Sequence, residues 1–176
     1  SGDWSSDVCS SDLAIKRLKK IHAKGMSTTV DLLGEACVSE EESEIYLRRY
    51  LDLLDALDGE VPVNISVKLS ALYSRSKPVG FEESVRVLKS RLRQIYDRAK
   101  ELGAFVYVDM EDTSKTDITL EVVQSLLMEE EFRYWKDAGI VLQAYLRRTK
   151  RDAEGILDWV QQRGRSEEHT SELQSP

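Results

Sequence analysis

Cysteine and histidine are scarce in this chain, which has two of each among its 176 residues. Cys9 lies in an atypical stretch near the start, so Cys37 stands alone and no disulfide framework is expected. A lone cysteine is typical of proteins kept in a reducing compartment. With His169 in a similar stretch near the end, His22 is the single histidine left. This argues against histidine-based catalytic triads and multi-histidine metal sites.

Excess positive charge and long apolar runs are lacking as well. The formal net charge is −7 and the isoelectric point about 5.0, a balance that argues against a nucleic-acid-binding surface. No apolar run approaches the ~18–20 residues that a membrane-spanning helix needs. The sequence also contains neither G-x-G-x-x-G nor G-x-x-x-x-G-K-[ST], so a dinucleotide would have to be held without a Rossmann or P-loop turn.

The two ends of the chain differ in character from its centre. Residues 3–13 read DWSSDVCSSDL and residues 165–175 read RSEEHTSELQS; both are rich in Ser, Asp and Glu and lack a hydrophobic period. Both resemble translated sequencing-library adapters, so we predict that residues 1–13 and 165–176 are adapter-like, non-native segments. Residues 14–164 then form one domain of ordinary size, and we expect the natural protein to extend beyond them.

The central stretch alternates short apolar runs with amphipathic helical segments. After a short basic helix, apolar runs begin near residues 28, 63, 105 and 139, and each is followed by a helical period. The first and fourth runs predict strands over residues 27–33 and 139–145. Ser39 and Glu42 predict a capping box for the helix after the first strand, whose buried stripe includes Ile45 and Tyr50. A long helix is predicted for residues 81–102, with a buried stripe of Val85, Leu88, Leu92, Ile95 and Ala99. Near-continuous apolar strands separated by helices are typical of parallel sheets covered by helices. The pattern fits a doubly wound sheet or a (β/α)8 barrel. Because a full barrel takes ~250 residues, this chain would supply about its first four strand–helix units. Periodicity alone does not separate the two folds.

The second apolar run, residues 63–72, is predicted to be a buried strand that carries a lysine. Ile65 and Val67 face one side of this strand and Lys68 the other, because strand side chains alternate. A lysine at the end of an apolar strand is costly to bury unless an anion meets it. The simpler interpretation is that Lys68 extends to water, as most lysines do.

Polar side chains interrupt the end of every predicted strand. The end of the first strand carries Asp31 and Glu35, that of the second Lys68, that of the third Asp109 with Glu111 and Asp112, and that of the fourth Gln143. Chemistry in parallel α/β proteins lies beyond the carboxyl ends of the strands, so these side chains form the candidate site. A cation flanked by carboxylates can hold a substrate carboxylate or a phosphate, and a glutamine amide suits the edge of a heterocyclic ring.

Two other chemistries stay open from these residues. Lys68 could form a Schiff base with a carbonyl substrate, as in class I aldolases. Asp109, Glu111 and Asp112 offer hard oxygen ligands to a metal ion, although neighbouring residues of a strand point in opposite directions. We favour the simpler interpretation that Glu111 and Asp112 suit the positive end of the next helix, for which Asp117 is the predicted N-cap.

Four short segments at the strand ends carry a resemblance. They read DLLGEA (31–36), NISVKLSAL (64–72), VDMED (108–112) and VLQAYLRR (141–148). In this order, one per strand, they are similar to the first four strand-end motifs of the proline dehydrogenase family. The resemblance implies a (β/α)8 flavoenzyme that oxidises L-proline to Δ1-pyrroline-5-carboxylate by hydride transfer to FAD and passes electrons to a quinone. It therefore favours a partial TIM barrel over a doubly wound sheet.

The same resemblance implies roles for five side chains. Lys68 resembles the lysine that contacts the proline carboxylate, and Asp109 resembles the active-site aspartate of the third strand. Met110 and Gln143 resemble positions that touch the flavin. Glu35 resembles a loop acid that closes over the site by pairing with a late arginine. These roles are chemically consistent, because the carboxylate of zwitterionic proline needs a cation and a flavin needs hydrogen-bond partners.

The family's later elements have no counterpart in this sequence. These are the fifth-strand arginine, further flavin-phosphate contacts and an arginine pair in the last helix. We therefore expect the chain alone to bind FAD weakly or not at all and to be inactive, which makes an inactive half-barrel the non-enzymatic alternative. The location implied for the parent protein is cytoplasmic, with peripheral association at the inner membrane left open.

Overall fold

A computed structural model shows an α/β protein built on one parallel four-stranded sheet. It describes residues 5–32 and 36–172, and the side chains of residues 13–32 and 36–164. In chain order, its elements are α1 (Ser5–His22), β1 (Val30–Asp31), α2 (Glu40–Leu57), β2 (Asn64–Val67), α3 (Leu69–Leu72), a 3₁₀ turn (Pro78–Gly80), α4 (Phe81–Leu102), β3 (Phe105–Val108), a second 3₁₀ turn (Thr113–Lys115), α5 (Thr116–Leu127), β4 (Ala138–Ile140) and α6 (Thr149–Glu172). The predicted fold class is confirmed.

The strand order decides between the two folds that periodicity left open. The strands are hydrogen-bonded in the order β1-β2-β3-β4 and all pairs are parallel. Ile65 of β2 lies opposite Val30 of β1 and Val106 of β3, and Val106 in turn lies opposite Ala138 of β4. A doubly wound sheet reverses its strand order at a switch point, whereas each barrel strand pairs with the next one along the chain. The described sheet therefore has the order of a partial barrel.

The two faces of the sheet differ in burial because side chains alternate along each strand. Four residues of the central strands are fully buried at 0% exposure: Ile65, Val67, Val106 and Val108. They share one core with the apolar sides of α2, α4 and α5. The intervening residues are half-buried on the opposite face: Asn64, Ser66, Phe105 and Tyr107. In a barrel that second face points toward the axis.

The long helix predicted for residues 81–102 is confirmed as α4 with the same bounds. Four residues at helical spacing are at most 1% exposed: Leu88, Leu92, Ile95 and Ala99. Val85, predicted for the same stripe, is half-buried at the edge of the core. Gly103 ends the helix with a left-handed φ of 64°, a conformation that favours glycine.

The capping box predicted at the start of α2 is confirmed with one change. Ser39 Oγ accepts a hydrogen bond from the backbone N–H of Glu42 at 3.1 Å. The Glu42 carboxylate in turn accepts from the N–H of Val38 at 2.8 Å, one residue earlier than a capping box requires. Ile45, predicted on the buried stripe of this helix, is instead 41% exposed. The residues of α2 that do face the core include Leu47, Tyr50, Leu54 and Leu57.

The second strand is shorter than predicted. β2 ends at Val67, and Leu69–Leu72, expected to continue it, form the short helix α3. The change occurs at Lys68, whose backbone N–H is donated to the Tyr50 hydroxyl at 3.1 Å. Residues 69 and 70 therefore do not alternate across the sheet: Leu69 and Ser70 are both buried, with 5% and 8% exposure.

The N-cap predicted for the helix after the third strand, Asp117, is also wrong. The helix α5 begins at Thr116, which places Asp117 inside its first turn. Asp112 takes a capping role instead, because its carboxylate accepts a hydrogen bond from the Ser114 N–H at 2.9 Å in the preceding 3₁₀ turn. This bond holds the pKa of the Asp112 carboxyl below its usual range.

Several element boundaries differ from the predictions. The first and fourth strands, predicted for residues 27–33 and 139–145, shorten to Val30–Asp31 and Ala138–Ile140. α1 begins at Ser5 and α6 continues to Glu172, so both helices cross the divisions predicted at residues 13 and 164. The separation of adapter-like and natural segments therefore stays a prediction. Over the residues that the structure describes, no helix is long and apolar enough to cross a lipid bilayer.

Candidate functional site

Lys68 forms an ion pair with Asp31 at the carboxyl ends of β2 and β1. Lys68 Nζ lies 2.5 Å from Asp31 Oδ1 and also contacts Oδ2. The Lys68 side chain is 17% exposed and that of Asp31 is 42% exposed. The Asp31 carboxylate is open to water and stays solvated if it is displaced, so another carboxylate can take its place on Lys68. Asp31, rather than Asp109, is the partner that the structure gives to Lys68.

The turn that carries Lys68 is held by groups from three other parts of the chain. Tyr50 Oη of α2 accepts the Lys68 N–H, as described above. The carboxylate of Glu111 accepts the N–H of Ser70 at 3.3 Å. The Ser70 carbonyl accepts the backbone N–H of Cys37 at 3.2 Å and its thiol at 3.1 Å. These contacts fix the backbone on both sides of the lysine.

Asp109 and Met110 follow β3 directly and differ in their surroundings. The Asp109 N–H continues the ladder by donating to the Val67 carbonyl at 2.9 Å. Its carboxylate accepts the N–H of Met110 at 2.9 Å and is half-buried at the carboxyl edge of the sheet. Met110 is 5% exposed. The structure thus places Asp109 at the same edge as Lys68, and the proposed flavin contact of Met110 stays a prediction.

Gln143 follows β4 and reaches across to the loop after β3. Its Nε2 donates to the Glu111 carbonyl at 3.4 Å. Its Oε1 is buried and has no hydrogen-bond partner within the described part of the chain. The Gln143 backbone carbonyl is held by the Thr149 hydroxyl at 2.5 Å and the Leu146 N–H at 3.2 Å. The structure therefore brings Gln143 beside the segment that carries Asp109 and leaves it one open acceptor.

Arg148 clamps the segment between β4 and α6. Its guanidinium donates to Asp152 at 2.5 and 3.2 Å and to Asp117 of α5 at 2.5 Å. Hydrogen bonds from the guanidinium to Asp152 and Asp117 raise the pKa of Arg148 above its usual range. Asp152 is 8% exposed, so the arginine also balances a buried carboxylate. Arg148 thereby joins the loop that carries Gln143 to the helix after the Asp109 loop.

The three acidic residues considered as metal ligands each have a separate hydrogen-bond partner. Asp109, Glu111 and Asp112 accept from the N–H groups of Met110, Ser70 and Ser114, respectively. Among the side chains of residues 13–32 and 36–164 there is no group of three or more His, Cys, Asp or Glu that could hold a metal ion. A cavity beside these residues has about 10 Å³, the space of one water molecule. The metal-binding alternative thus has no support from the described residues.

Some contacts of this site are not predicted from the sequence, and one predicted site residue lies outside the described part of the chain. Glu35, predicted to close over the site, lies outside the described residues, so its role stays a prediction. The sequence predicts Tyr50 on a buried stripe, and Glu111 at a helix N-terminus or, in the alternative chemistry, as a metal ligand. A signal for Tyr50 did exist, because a buried tyrosine usually finds a hydrogen-bond partner for its hydroxyl. No local signal pairs Glu111 with Ser70, which lies 41 residues away.

Burial of Tyr50 leads to a testable pH dependence. Burial raises the pKa of its phenol to about 12, and the hydrogen bond from the Lys68 N–H only partly offsets this. A raised pKa means that the folded state favours the neutral phenol. The associated stability is therefore complete below the unfolded pKa near 10 and is lost as the pH rises from about 10 through about 12.

We expect Tyr50→Phe to lose less unfolding free energy at alkaline pH than the unmodified chain does. A pKa raised from about 10 to about 12 corresponds to roughly 2–3 kcal/mol of unfolding free energy by pH 12. Urea unfolding of the chain and of Tyr50→Phe at several values between pH 8 and pH 12 measures the difference. Equal alkaline losses in the two proteins would show that Tyr50 titrates normally. Tyr96, also fully buried, remains in both and cancels in the comparison.

Comparison with known proteins identifies one family. The family model described as proline dehydrogenase matches residues 14–168. The bifunctional protein PutA of Escherichia coli K12 is 27% identical over 153 residues, which cover 82% of this chain and 12% of that protein. Proline dehydrogenase 1 of Bacillus subtilis subsp. natto is 29% identical over 146 residues, covering 82% of this chain and 44% of the relative.

Solved structures of PutA proteins share the fold. The crystal structure of Bdellovibrio bacteriovorus PutA inactivated by N-propargylglycine superposes with a TM-score of 0.83 and 40% identity, covering 88% of this chain and 18% of that one. PutA from Corynebacterium freiburgense superposes with a TM-score of 0.79 and 33% identity, covering 86% and 16%. This chain therefore spans less than a fifth of these PutA proteins and less than half of the shorter bacterial dehydrogenase.

Proposed function

Because this chain belongs to the proline dehydrogenase family, we propose that it forms the part of a flavin-dependent enzyme that presents Lys68, Asp109 and Gln143 to proline and FAD. The observation that carries the proposal is the placement of Lys68. Its ammonium lies at the carboxyl edge of a barrel-ordered sheet, and its salt-bridge partner among the described side chains is a half-exposed carboxylate. The site of chemistry in such barrels is this edge.

Lys68 is the proposed partner of the substrate carboxylate. In the structure Asp31 holds the ammonium, and a bound proline would take its place or join it. Asp109, half-buried on the next strand, contributes a negative charge that can face the amino group of a zwitterionic substrate. The two strands thus offer opposite charges to the two ends of proline. Exclusion of water on binding would strengthen both interactions.

The proposed flavin contacts rest on an open acceptor at the same edge. Gln143 Oε1 is buried and unpartnered in the described part of the chain, and an N–H group such as that of a flavin ring is the donor it needs. The residues present therefore fit the cofactor, with Gln143 and Met110 as its proposed contacts. The ammonium of proline would first give a proton to solvent, and FAD bound there would supply the acceptor for the hydride that leaves as Δ1-pyrroline-5-carboxylate forms. A quinone is the proposed final electron acceptor.

The remaining expectations about the whole enzyme are proposals as well. We propose that residues 14–164 belong to the enzyme and that residues 1–13 and 165–176 do not. Glu35 is proposed to close over the site. The proposed location is the cytoplasm, with peripheral attachment at the inner membrane left open. Because the chain spans 44% of the Bacillus relative, we expect catalysis to need strands of the barrel that this chain does not supply.

The Schiff-base alternative is disfavoured by the contact that Lys68 makes. Only a neutral amine attacks a carbonyl, and such lysines are activated in apolar pockets or beside another cation. Lys68 instead contacts both oxygens of the Asp31 carboxylate. Borohydride trapping of a carbonyl substrate on Lys68 would restore this alternative.

A completed barrel tests the proposed function. Residues 14–164 are joined to the remaining strands of Bacillus subtilis proline dehydrogenase 1, and the visible spectrum of the purified protein is recorded with FAD. We expect L-proline to bleach the flavin absorption, and D-proline to leave it unchanged. We also expect N-propargylglycine, the inactivator named for the Bdellovibrio structure, to abolish bleaching. A folded barrel with bound flavin that L-proline does not reduce would show the proposal to be wrong.

A further inference from the structure

The backbone hydrogen bond of Lys68 is unusual in its partner. Up to Val67, the strand β2 pairs with its neighbours through backbone groups, and the Asp109 N–H still donates to the Val67 carbonyl. At Lys68 the pattern changes, because its N–H is donated to the hydroxyl of Tyr50 at 3.1 Å. A side chain of α2 thus replaces a backbone carbonyl as the acceptor at the residue where β2 ends and α3 begins.

The hydroxyl of Tyr50 has a specific reason to be there. Tyr50 is 1% exposed and packs in the core with Leu47 and Leu54 of the same helix. Phenylalanine would supply the same apolar ring, and a buried hydroxyl is costly unless it is hydrogen-bonded. The hydrogen bond from the Lys68 N–H offsets that cost. It also satisfies a backbone donor that lies beyond the end of the strand.

We propose that Tyr50 is a positioning residue for Lys68. Its hydroxyl sets the point where β2 ends and so fixes the backbone position of the lysine that binds the substrate carboxylate. The substrate part of this inference rests on the proposed function. The Lys68 backbone is held from the core side by Tyr50, and Glu111 holds the next turn through Ser70. Because the Lys68 backbone is fixed, the lysine loses less conformational freedom when its ammonium binds a carboxylate.

The chain contains a matched control for this proposal. Tyr96 is also fully buried, at 0% exposure, but its hydroxyl has no hydrogen-bond partner within the described residues. Tyr50→Phe and Tyr96→Phe therefore remove the same atom from similar surroundings, and only the first removes a bond to the Lys68 backbone. A difference at the Lys68 amide or in the KM for proline therefore reports that bond.

Amide hydrogen exchange of the 176-residue chain tests the structural part. We expect the Lys68 amide to exchange about tenfold faster in Tyr50→Phe than in Tyr96→Phe, the change that one lost hydrogen bond produces. Equal exchange rates would overturn the proposal. If Tyr50→Phe does not fold, 3-fluorotyrosine placed at position 50 alone keeps the shape and weakens the acceptor. An unchanged Lys68 amide resonance in that protein would also overturn it.

Kinetics of the completed barrel test the functional part. We expect Tyr50→Phe to raise the KM for L-proline about tenfold with kcat and the flavin spectrum nearly unchanged, and Tyr96→Phe to leave the KM unaltered. Equal KM values in both variants would remove the positioning role. If the unmodified barrel binds flavin that proline does not reduce, the proposed function fails and the substrate role fails with it. Amide exchange would still decide whether Tyr50 holds the Lys68 backbone.

Discussion

Lys68→Met in the completed barrel is expected to raise the KM for L-proline by roughly 10- to 150-fold while the flavin remains bound. The expected size follows from the about 1.5–3 kcal/mol that a hydrogen bond to a charged group contributes. Methionine keeps an unbranched apolar stem, so the main loss is the ammonium that faces Asp31 and, by proposal, the substrate carboxylate. Steady-state rates over a wide range of proline concentrations measure the effect.

An exposed lysine provides the matched control for this experiment. Lys77 lies in the loop before α4 and is exposed, so Lys77→Met removes the same charge away from the sheet edge. We expect its KM to stay within about twofold of the unmodified barrel, because isolated surface charges contribute little. A Lys68→Met barrel with an unchanged KM would show that the substrate carboxylate binds elsewhere.

Ile65→Ala is expected to destabilise the folded chain by about 2–5 kcal/mol. Ile65 lies at the centre of β2 with 0% exposure and is paired on both sides, with Val30 and Val106. Its removal leaves a cavity between the sheet and the covering helices, which the close-packed core fills only in part. Since domains of this size have about 5–15 kcal/mol of stability, the loss is a large share of the total. Urea unfolding followed by circular dichroism measures it.

Two variants at neighbouring positions calibrate that result. Ile65→Val removes one methylene from the same place and is expected to cost about 0.5–1.5 kcal/mol. Ser66→Ala changes the adjacent residue, which is half-buried on the opposite face of the sheet, and is expected to stay within about 0.5 kcal/mol. Comparable losses for Ile65→Ala and Ser66→Ala would mean that the two faces are not distinguished in solution as they are in the structure.

Much of the fold could be predicted because its signals are local. The burial of Ile65 and Val67 follows from a period of two, and the bounds of α4 follow from a period of 3.6 that ends at Gly103. Prediction fails where a local pattern is ambiguous. Residues 69–72 continue an apolar run and read as strand, but the hydrogen bond from Lys68 to Tyr50 ends the ladder before them.

The sequence predicts that the candidate residues share one edge of the sheet, and it predicts only part of their contacts. Asp31, Lys68, Asp109 and Gln143 do lie at the carboxyl edge of one sheet, as expected from parallel strands. The sequence does not specify which carboxylate meets the lysine, and it gives no signal that Arg148 links two helices. The acidic loop also has contacts that the sequence does not predict, since Glu111 contacts both the Lys68 turn and Gln143.

By itself, the sequence determined the alternation of strands and helices, the buried faces of β2 and α4, and through its strand-end motifs the family. Only the tertiary structure decided the partners of Lys68: the carboxylate of Asp31, 37 residues away, and the hydroxyl of Tyr50, 18 residues away. The physical reason is that burial follows from the period of a single element. A contact between side chains of two elements depends instead on their register and packing, which no local pattern encodes.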